Sequence, residues 1–299
     1  MSDQYGGAST PAPQKVTVPD IVAMKRDGKR ITMMTAYDAA FARLVDQAGI
    51  DVILVGDSLG MVVLGYPTTV PVTMDDMVRH AAAVSRGATR PLLVGDMPFG
   101  SYQVSDEDAV RNAIRFVKEA GADVVKLEGA GTSLSRVSAI AGAGIGVMGH
   151  IGLTPQSATV LGGFKAQGRS AEQARRLFAD ALALEAAGCF ALVLEAVPAA
   201  VSARITAELR IPTIGIGAGA ACDGQVLVWH DLLGLYDGRT PRFVKQYANL
   251  GAEIERALGE YVADVRSGAF PEERHTYAMP EEELTRFESE SEDVHAHDH

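Results

Sequence analysis

Eight short apolar runs recur along the chain, and helical segments separate most of them. Most runs are continuous stretches of valine, isoleucine, leucine and methionine, which is typical of parallel strands covered on both faces. The repeated alternation of strand and helix predicts a (β/α)8 TIM barrel in a single α/β domain, with an open doubly wound sheet as the second choice. The runs are Ile31–Ala36, Val52–Gly56, Pro91–Asp96, Asp123–Glu128, Gly144–His150, Phe190–Glu195, Pro212–Gly217 and Gln225–His230.

The predicted barrel domain spans residues 16–270, between a flexible polar extension at 1–15 and an acidic tail at 271–299. Residues 281–299 carry eight acidic residues and one arginine, so the tail has little to bury and is predicted to be disordered.

Three stretches depart from the regular alternation. Only a loop fits between Gly217 and Gln225, so one helical crossover is reduced or missing. Residues 152–169 are rich in glycine and lack periodicity, which predicts an active-site loop or lid. A last helix at 241–265 is expected to pack outside the barrel.

Charge and composition exclude several classes of protein. The chain has 27 Lys and Arg against 38 Asp and Glu, a formal net charge of -11, which argues against a nucleic-acid-binding surface. No apolar run approaches the ~18 residues of a transmembrane helix, and the start of the chain has no apolar signal segment. Cys189 and Cys222 cannot build a disulfide framework and are predicted to be buried, reduced thiols, which indicates a cytoplasmic protein.

Two short glycine motifs suggest chemistry that their surroundings do not support well. Gly144–Gly149 matches the dinucleotide fingerprint, but it lies inside a predicted strand and opens no helix. Gly56–Gly60 matches the nucleophile elbow of serine hydrolases, with Ser58 as the nucleophile. The late histidines, such as His230 and His275, lack a convincing acidic partner, so the hydrolase stays a minor alternative.

Polar residues end one apolar run after another. Because the carboxyl ends of all strands in a parallel barrel open onto one face, we expect these side chains to converge on one cleft. Buried carboxylates need a cation, a partner or a proton, and oxygen ligands without cysteine favour Mg²⁺ over Zn²⁺. The residues are Asp57, Asp96, Lys126, Glu128, His150 and Glu195.

All of these residues except Glu195 also have a purely structural interpretation. Asp57 and Asp96 could cap turns, Lys126 and Glu128 share one strand face and could neutralise each other, and His150 could be a barrel histidine. The joint pattern favours metal-assisted chemistry on a carbon acid. A 2-keto acid can chelate Mg²⁺, the metal would stabilise an enolate, a carboxylate outside the metal shell would remove the proton, and a lysine would add positive potential.

Several long blocks, in this order, resemble the ketopantoate hydroxymethyltransferase family over residues 15–271. They are MTAYDAAFARLVDQAGIDVILVGDSLGMVVLGYPTTVPVT from Met34, GDMPFGSY from Gly95, VKLEGA from Val125, MGHIGLTPQS from Met148, LVLEAVPA from Leu192 and IPTIGIGAGAACDGQVLVWHDLLGL from Ile211.

The resemblance implies a (β/α)8 barrel, Mg²⁺ and the one-carbon donor 5,10-methylenetetrahydrofolate. The reaction would convert 3-methyl-2-oxobutanoate into 2-dehydropantoate in pantothenate biosynthesis. The family typically forms a homodecamer of two stacked pentamers.

The resemblance also implies a role for most of the site residues. Asp57 and Asp96 would bind the metal with a contribution from Glu128, and Asp57, Ser58, Asp96 and Lys126 would contact the keto acid. Glu195 would accept the proton, and His150 would line the cleft without an assigned role. The alternatives are a magnesium-dependent keto-acid lyase or mutase, a hydrolase using Ser58, and a non-catalytic binding barrel.

Overall fold

Eight parallel strands close into a barrel in the order of the sequence, with the last strand paired to the first. The structure is a computed structural model and describes residues 14–235 and 240–296. The predicted TIM barrel is confirmed. The strands are β1 Ile31–Thr35, β2 Val52–Val55, β3 Leu92–Asp96, β4 Val124–Glu128, β5 Gly146–Gly152, β6 Cys189–Glu195, β7 Thr213–Ile216 and β8 Gly224–Leu227.

Helices follow most strands. No helix lies between β7 and β8, as predicted, and short 3-10 turns occur at Pro155–Ser157 and Glu273–His275. The α-helices are α1 Val18–Arg26, α2 Ala39–Gln47, α3 Leu59–Val62, α4 Met74–Gly87, α5 Asp106–Ala120, α6 Ser133–Gly142, α7 Ala171–Ala187, α8 Ala199–Glu208, α9 Trp229–Leu232, α10 Leu250–Ser267 and α11 Glu281–Ala296. None of the helices within the described ranges has the length and apolar character needed to cross a membrane.

Two buried layers explain why the strand sequences read as unbroken apolar runs. Neighbouring residues of one strand point to opposite faces, so Leu54 joins the cluster inside the barrel and Ile53 joins the cluster under the helices. Ile21 of α1 belongs to the inner cluster and is completely buried. The amino-terminal end of the barrel is further held by Lys25, whose ammonium lies 2.9 Å from a carboxylate oxygen of Asp223. The opposite end, where the strands finish, is left for the site.

The strand that overlaps the dinucleotide motif begins later than predicted. Gly144 has a φ of 85°, a left-handed conformation that suits glycine and ends the preceding turn, so β5 starts only at Gly146. Most of the motif therefore lies within a strand, and the next α-helix begins only at Ala171. A dinucleotide needs the amino terminus of a helix directly after the glycines, so this arrangement does not form that site.

The predicted lid segment 152–169 consists of a 3-10 turn and irregular backbone before α7. Its first part is buried, with Gln156 only 6% exposed, whereas Val160 is 89% exposed. The segment therefore reaches from the barrel mouth to the surface.

The chain divides into two compact units, Met1–Ala248 and Asn249–His299. The unit that holds the barrel ends ahead of the predicted domain limit at residue 270. In the second unit, α10 starts at 250 instead of 241, and residues 241–249 form turns and irregular backbone. The Tyr247 backbone N–H donates to the Leu232 carbonyl at 2.8 Å.

Helix α11 occupies most of the tail that the sequence analysis predicts to be disordered. Its first turn carries three glutamates, which suit the positive end of the helix dipole. Arg286 and Glu290 form a 3.0 Å ion pair one turn apart. Residues 281–290 are all exposed, so local interactions hold this helix. Residues 1–13 of the predicted extension and 297–299 of the tail lie outside the described residues.

His230 lies in an aromatic cluster beside the barrel mouth. Its ring stacks on Tyr37 with centroids 5.6 Å apart and contacts Trp229, which in turn stacks on Phe41. Burial lowers the pKa of His230 to about 4, although Asp38 opposes the shift. The imidazole is therefore neutral at pH 7, and its buried Nδ1 has no hydrogen-bond partner among the described residues.

Replacing Gly95 by alanine should destabilise the barrel. The added Cβ would lie 2.3 Å from the ring of Phe116 on α5, and relieving such a clash costs about 1–3 kcal/mol. The matched control is Gly142→Ala on α6, where a Cβ meets no atom within 4 Å. Denaturant unfolding should show a loss for Gly95→Ala and none for Gly142→Ala. Equal stabilities would contradict the packing argument.

The free energy of unfolding should fall as the pH drops from 6.5 to 4. In the unfolded chain His230 takes up a proton near pH 6.5, whereas in the folded chain it does so only near pH 4. The contribution of His230 to the free energy of unfolding is therefore complete above pH 6.5 and is lost on acidification. His230→Phe removes this contribution, so the free energy of unfolding of the variant should fall by about 2 kcal/mol less than that of the wild type over that range. Parallel profiles for the wild type and the variant would overturn the assignment.

Candidate active site

On four strands, the side chains that point into the barrel are apolar at first and become polar where the strand ends. On β4 the inward residues are Val124, Lys126 and Glu128, and on β6 the series ends in Glu195. In the same way, the inward-facing residues of β3 end in Asp96, and those of β5 become polar at His150, near the end of the strand. The polar residues of these series lie at the carboxyl-terminal mouth of the barrel, as the sequence analysis predicts.

Strand register brings these side chains together in pairs. Asp96 is the register partner of Lys126, and Glu128 is the partner of His150. Their side chains are 2–4% exposed, so the charges face each other with little water between them. The cluster is therefore a product of the barrel pairing and not of sequence neighbours.

Asp57, Asp96 and Lys126 form one half of the cluster. Asp57 follows β2 after Gly56, and its backbone N–H donates to Asp96 Oδ2 at 3.2 Å. Lys126 Nζ lies 2.7 Å from the other Asp96 oxygen, Oδ1. Burial alone would lower the pKa of Lys126, but the neighbouring carboxylates outweigh burial and hold that pKa above its usual value. Lys126 thus remains a cation.

Glu128, His150 and Glu195 form the other half. His150 Nδ1 lies 3.4 Å from Glu128 Oε1, and Nε2 lies 3.2 Å from Glu195 Oε2. Burial and Lys126 lower the pKa of His150, but the two glutamates outweigh them and raise it to about 9. The raised pKa favours a protonated imidazole between the two carboxylates, although Nδ1 also lies 3.4 Å from Lys126 Nζ and Nε2 has no hydrogen bond from the described residues. Glu195 is the more accessible of the pair, with 16% of its side chain exposed.

The cluster holds more acidic than basic side chains in its buried part. Burial raises the pKa of Asp57 to about 8, and the carboxylates of Asp96 and Glu128 add to the rise, while Lys126 opposes it. Burial also raises the pKa of Asp96. A cation bound beside Asp57 and Asp96 would relieve this repulsion, and hard oxygen donors suit Mg²⁺.

The residues present fit a magnesium ion held only in part by protein. Within the described part of the chain, no group of three or more histidine, cysteine, aspartate or glutamate side chains is placed to hold a metal ion. Mg²⁺ commonly takes one or two carboxylates and completes its shell with water and substrate oxygens, so an open site is the expected form.

Ser58 has a tyrosine as its partner. Its Oγ lies 2.8 Å from the hydroxyl of Tyr37, a residue that is 2% exposed. His230 contacts the ring of Tyr37, and among the described residues no histidine is hydrogen-bonded to Ser58. The geometry does not supply the base that a serine hydrolase needs.

Sequence reasoning missed three buried residues that support the cluster: Tyr37, Tyr102 and Gln156. Gln156 Nε2 donates to Asp57 Oδ2 at 2.9 Å, and Tyr102 OH donates to Gln156 Oε1 at 2.7 Å. Their only signal was a position a few residues after a strand, and uncharged side chains do not stand out in the pattern of charged strand ends.

Comparison with known proteins places the chain in a family. A sequence profile described as ketopantoate hydroxymethyltransferase matches residues 15–273. A 3-methyl-2-oxobutanoate hydroxymethyltransferase of Desulfotalea psychrophila is 60% identical over 261 residues, covering 87% of this chain and 94% of the relative. The enzyme of that name from Moorella thermoacetica is 60% identical over 263 residues, covering 88% and 98%.

Solved structures share the fold at low sequence identity. A 2,3-dimethylmalate lyase superposes with a TM-score of 0.57 at 15% identity, covering 95% of this chain and 100% of that one. A phosphonopyruvate hydrolase superposes with a TM-score of 0.56 at 12% identity, covering 94% and 98%. These structures support the barrel alone, whereas the sequence matches go further: the chain belongs to the ketopantoate hydroxymethyltransferase family, whose members are transferases.

Proposed function

We propose that this chain transfers a hydroxymethyl group from 5,10-methylenetetrahydrofolate to C3 of 3-methyl-2-oxobutanoate, giving 2-dehydropantoate. Family membership supports the reaction, and the folate donor and the magnesium ion are the further elements of the proposal. The observation that carries it is the buried cluster in which Asp57, Asp96 and Lys126 lie beside the His150–Glu195 pair. The homodecamer and the cytoplasmic setting belong to the same proposal, the first from the resemblance and the second from the two reduced cysteines.

Asp57 and Asp96 would hold the magnesium ion, with Glu128 contributing. When bound, the ion supplies a Lewis acid that polarises the keto group of the substrate. The raised pKa values of Asp57 and Asp96 mean that the site favours a proton or a cation over two free charges.

Lys126 and Ser58 would act on the substrate oxygens. Lys126 adds positive potential where negative charge develops, and its ion pair with Asp96 fixes the ammonium in place. Ser58 would donate a hydrogen bond to the keto acid, with its hydroxyl oriented by Tyr37. Neither residue forms a covalent bond in this reaction.

Glu195 would accept the C3 proton. Its carboxylate is held by His150, and its partial exposure leaves it open to a molecule in the cleft. The electron pair released at C3 forms the new carbon–carbon bond to the methylene carbon of the folate. Water supplies the hydroxyl oxygen, and tetrahydrofolate leaves with the electrons of its carbon–nitrogen bonds.

A magnesium-dependent keto-acid lyase or mutase is the alternative. It would use the same acidic cluster, and the fold shared with 2,3-dimethylmalate lyase is compatible with it. It would not require folate. A non-catalytic barrel would bind the keto acid without turnover, and the hydrolase would require a base beside Ser58.

Proton exchange at C3 of 3-methyl-2-oxobutanoate should separate these functions. In deuterium oxide we expect exchange that requires Mg²⁺ and not folate, because the metal and Glu195 suffice to remove the proton. Formation of 2-dehydropantoate should require both Mg²⁺ and the folate, and EDTA should abolish both signals. Proton NMR measures both. Exchange that survives EDTA would contradict the metal site, and absence of product with both components would contradict the transferase.

Glu195→Gln should bind the keto acid yet lose exchange. Removing a positioned base typically costs at least ~100-fold in rate, whereas the isosteric amide preserves the shape of the cleft. Glu172→Gln, on the exposed first turn of α7, is the matched control and should exchange at the wild-type rate. NMR exchange and calorimetric binding together make the measurement. An unchanged exchange rate in Glu195→Gln would remove this residue from its role.

A further inference from the structure

We propose that Gln156 is a positioning residue that fixes the orientation of two of the carboxylates and thereby sets the affinity of the site for its metal ion. The inference rests on the proposed function in one respect, since it takes Asp57 and Glu128 as metal-site residues. Gln156 comes from the segment that follows β5, and its side chain is 6% exposed.

Gln156 contacts both carboxylates directly. Its side-chain Nε2 donates to Asp57 Oδ2 at 2.9 Å and to the Met97 carbonyl, also at 2.9 Å. Its backbone N–H donates to Glu128 Oε2 at 3.1 Å. One residue therefore holds one oxygen of each carboxylate, although Asp57 and Glu128 lie at the ends of two different strands.

The orientation of the Gln156 amide is dictated by its neighbours. The Met97 carbonyl can only accept a hydrogen bond, so the amide nitrogen must face it. The Tyr102 hydroxyl accepts from the Glu128 backbone N–H at 3.2 Å and can direct its own hydrogen to Gln156 Oε1 at 2.7 Å. A flipped amide would place oxygen against a carbonyl and a carboxylate, so the observed orientation is the only one that satisfies every partner.

This arrangement leaves Asp57 prepared for a cation. Oδ2 is engaged by Gln156, and Oδ1 receives no hydrogen bond from the residues that the structure describes. A carboxylate whose rotation is already restricted binds a metal ion with a smaller loss of entropy. Without the Gln156 amide, Asp57 would be free to turn away from the site or toward other partners.

The test compares Mn²⁺ binding to full-length wild type, Gln156→Met and Tyr102→Phe. Mn²⁺ replaces Mg²⁺ as the probe because EPR counts the free ion directly, without turnover. Gln156→Met keeps the length of the side chain and removes its side-chain hydrogen bonds, and we expect Mn²⁺ affinity to fall about 10–100-fold, as for other residues that orient metal ligands. Tyr102→Phe removes the hydroxyl that holds the amide from its other end and should weaken binding in the same direction.

Gln47→Met at the exposed end of α2 is the matched control and should bind as the wild type does. A Gln156→Met variant that stays folded, by thermal unfolding without metal, and binds Mn²⁺ like the wild type would overturn the proposal. If Gln156→Met does not fold, wild-type affinity in Tyr102→Phe has the same consequence.

The two proposals can fail separately. Wild type that binds Mn²⁺ but makes no 2-dehydropantoate would refute the transferase and leave the role of Gln156 intact. Active wild type with unchanged Mn²⁺ affinity in both variants would refute only the role of Gln156. Wild type that binds no Mn²⁺ would overturn the metal site and, with it, this inference.

Discussion

The site depends on the burial of several carboxylates around one lysine at the mouth of the barrel. Lys126 pairs with Asp96 at 2.7 Å, but burial still raises the pKa of Asp57 to about 8, and the carboxylates of Asp96 and Glu128 add to the rise. Isolated charges in such a place are costly, and in the proposed function a bound metal ion would offset that cost.

The rest of the barrel holds this unfavourable cluster in place. Apolar side chains fill the barrel interior below the site, and Ile21 of α1 is one of these apolar side chains. The segment after β5 contributes the Gln156 amide, and Tyr37 orients Ser58. Stability is therefore supplied by the apolar layers, and the polar layer is free to serve the chemistry.

Much of the fold followed from patterns of apolar residues, because strands covered on both faces leave an unmistakable run of branched side chains. The charged residues of the site, such as Glu195, were visible for the complementary reason that an acid at the end of such a run is costly without a function. Gln156 and Tyr102 carry no charge and were not visible. The helix at Glu281–Ala296 was also missed, since its composition is that of a solvated tail.

The order of the elements, the polar strand ends and family membership were all readable from residue types, since burial periodicity and long sequence blocks are properties of the chain itself. The pairs of charged side chains that come into contact were not readable in this way. Barrel closure and strand register set Asp96 beside Lys126 and Glu128 beside His150, and those pairings establish the pKa values on which the proposed chemistry relies. Side-chain amide and hydroxyl contacts arise only when distant segments pack, because a hydrogen bond requires distances and angles that no linear spacing encodes.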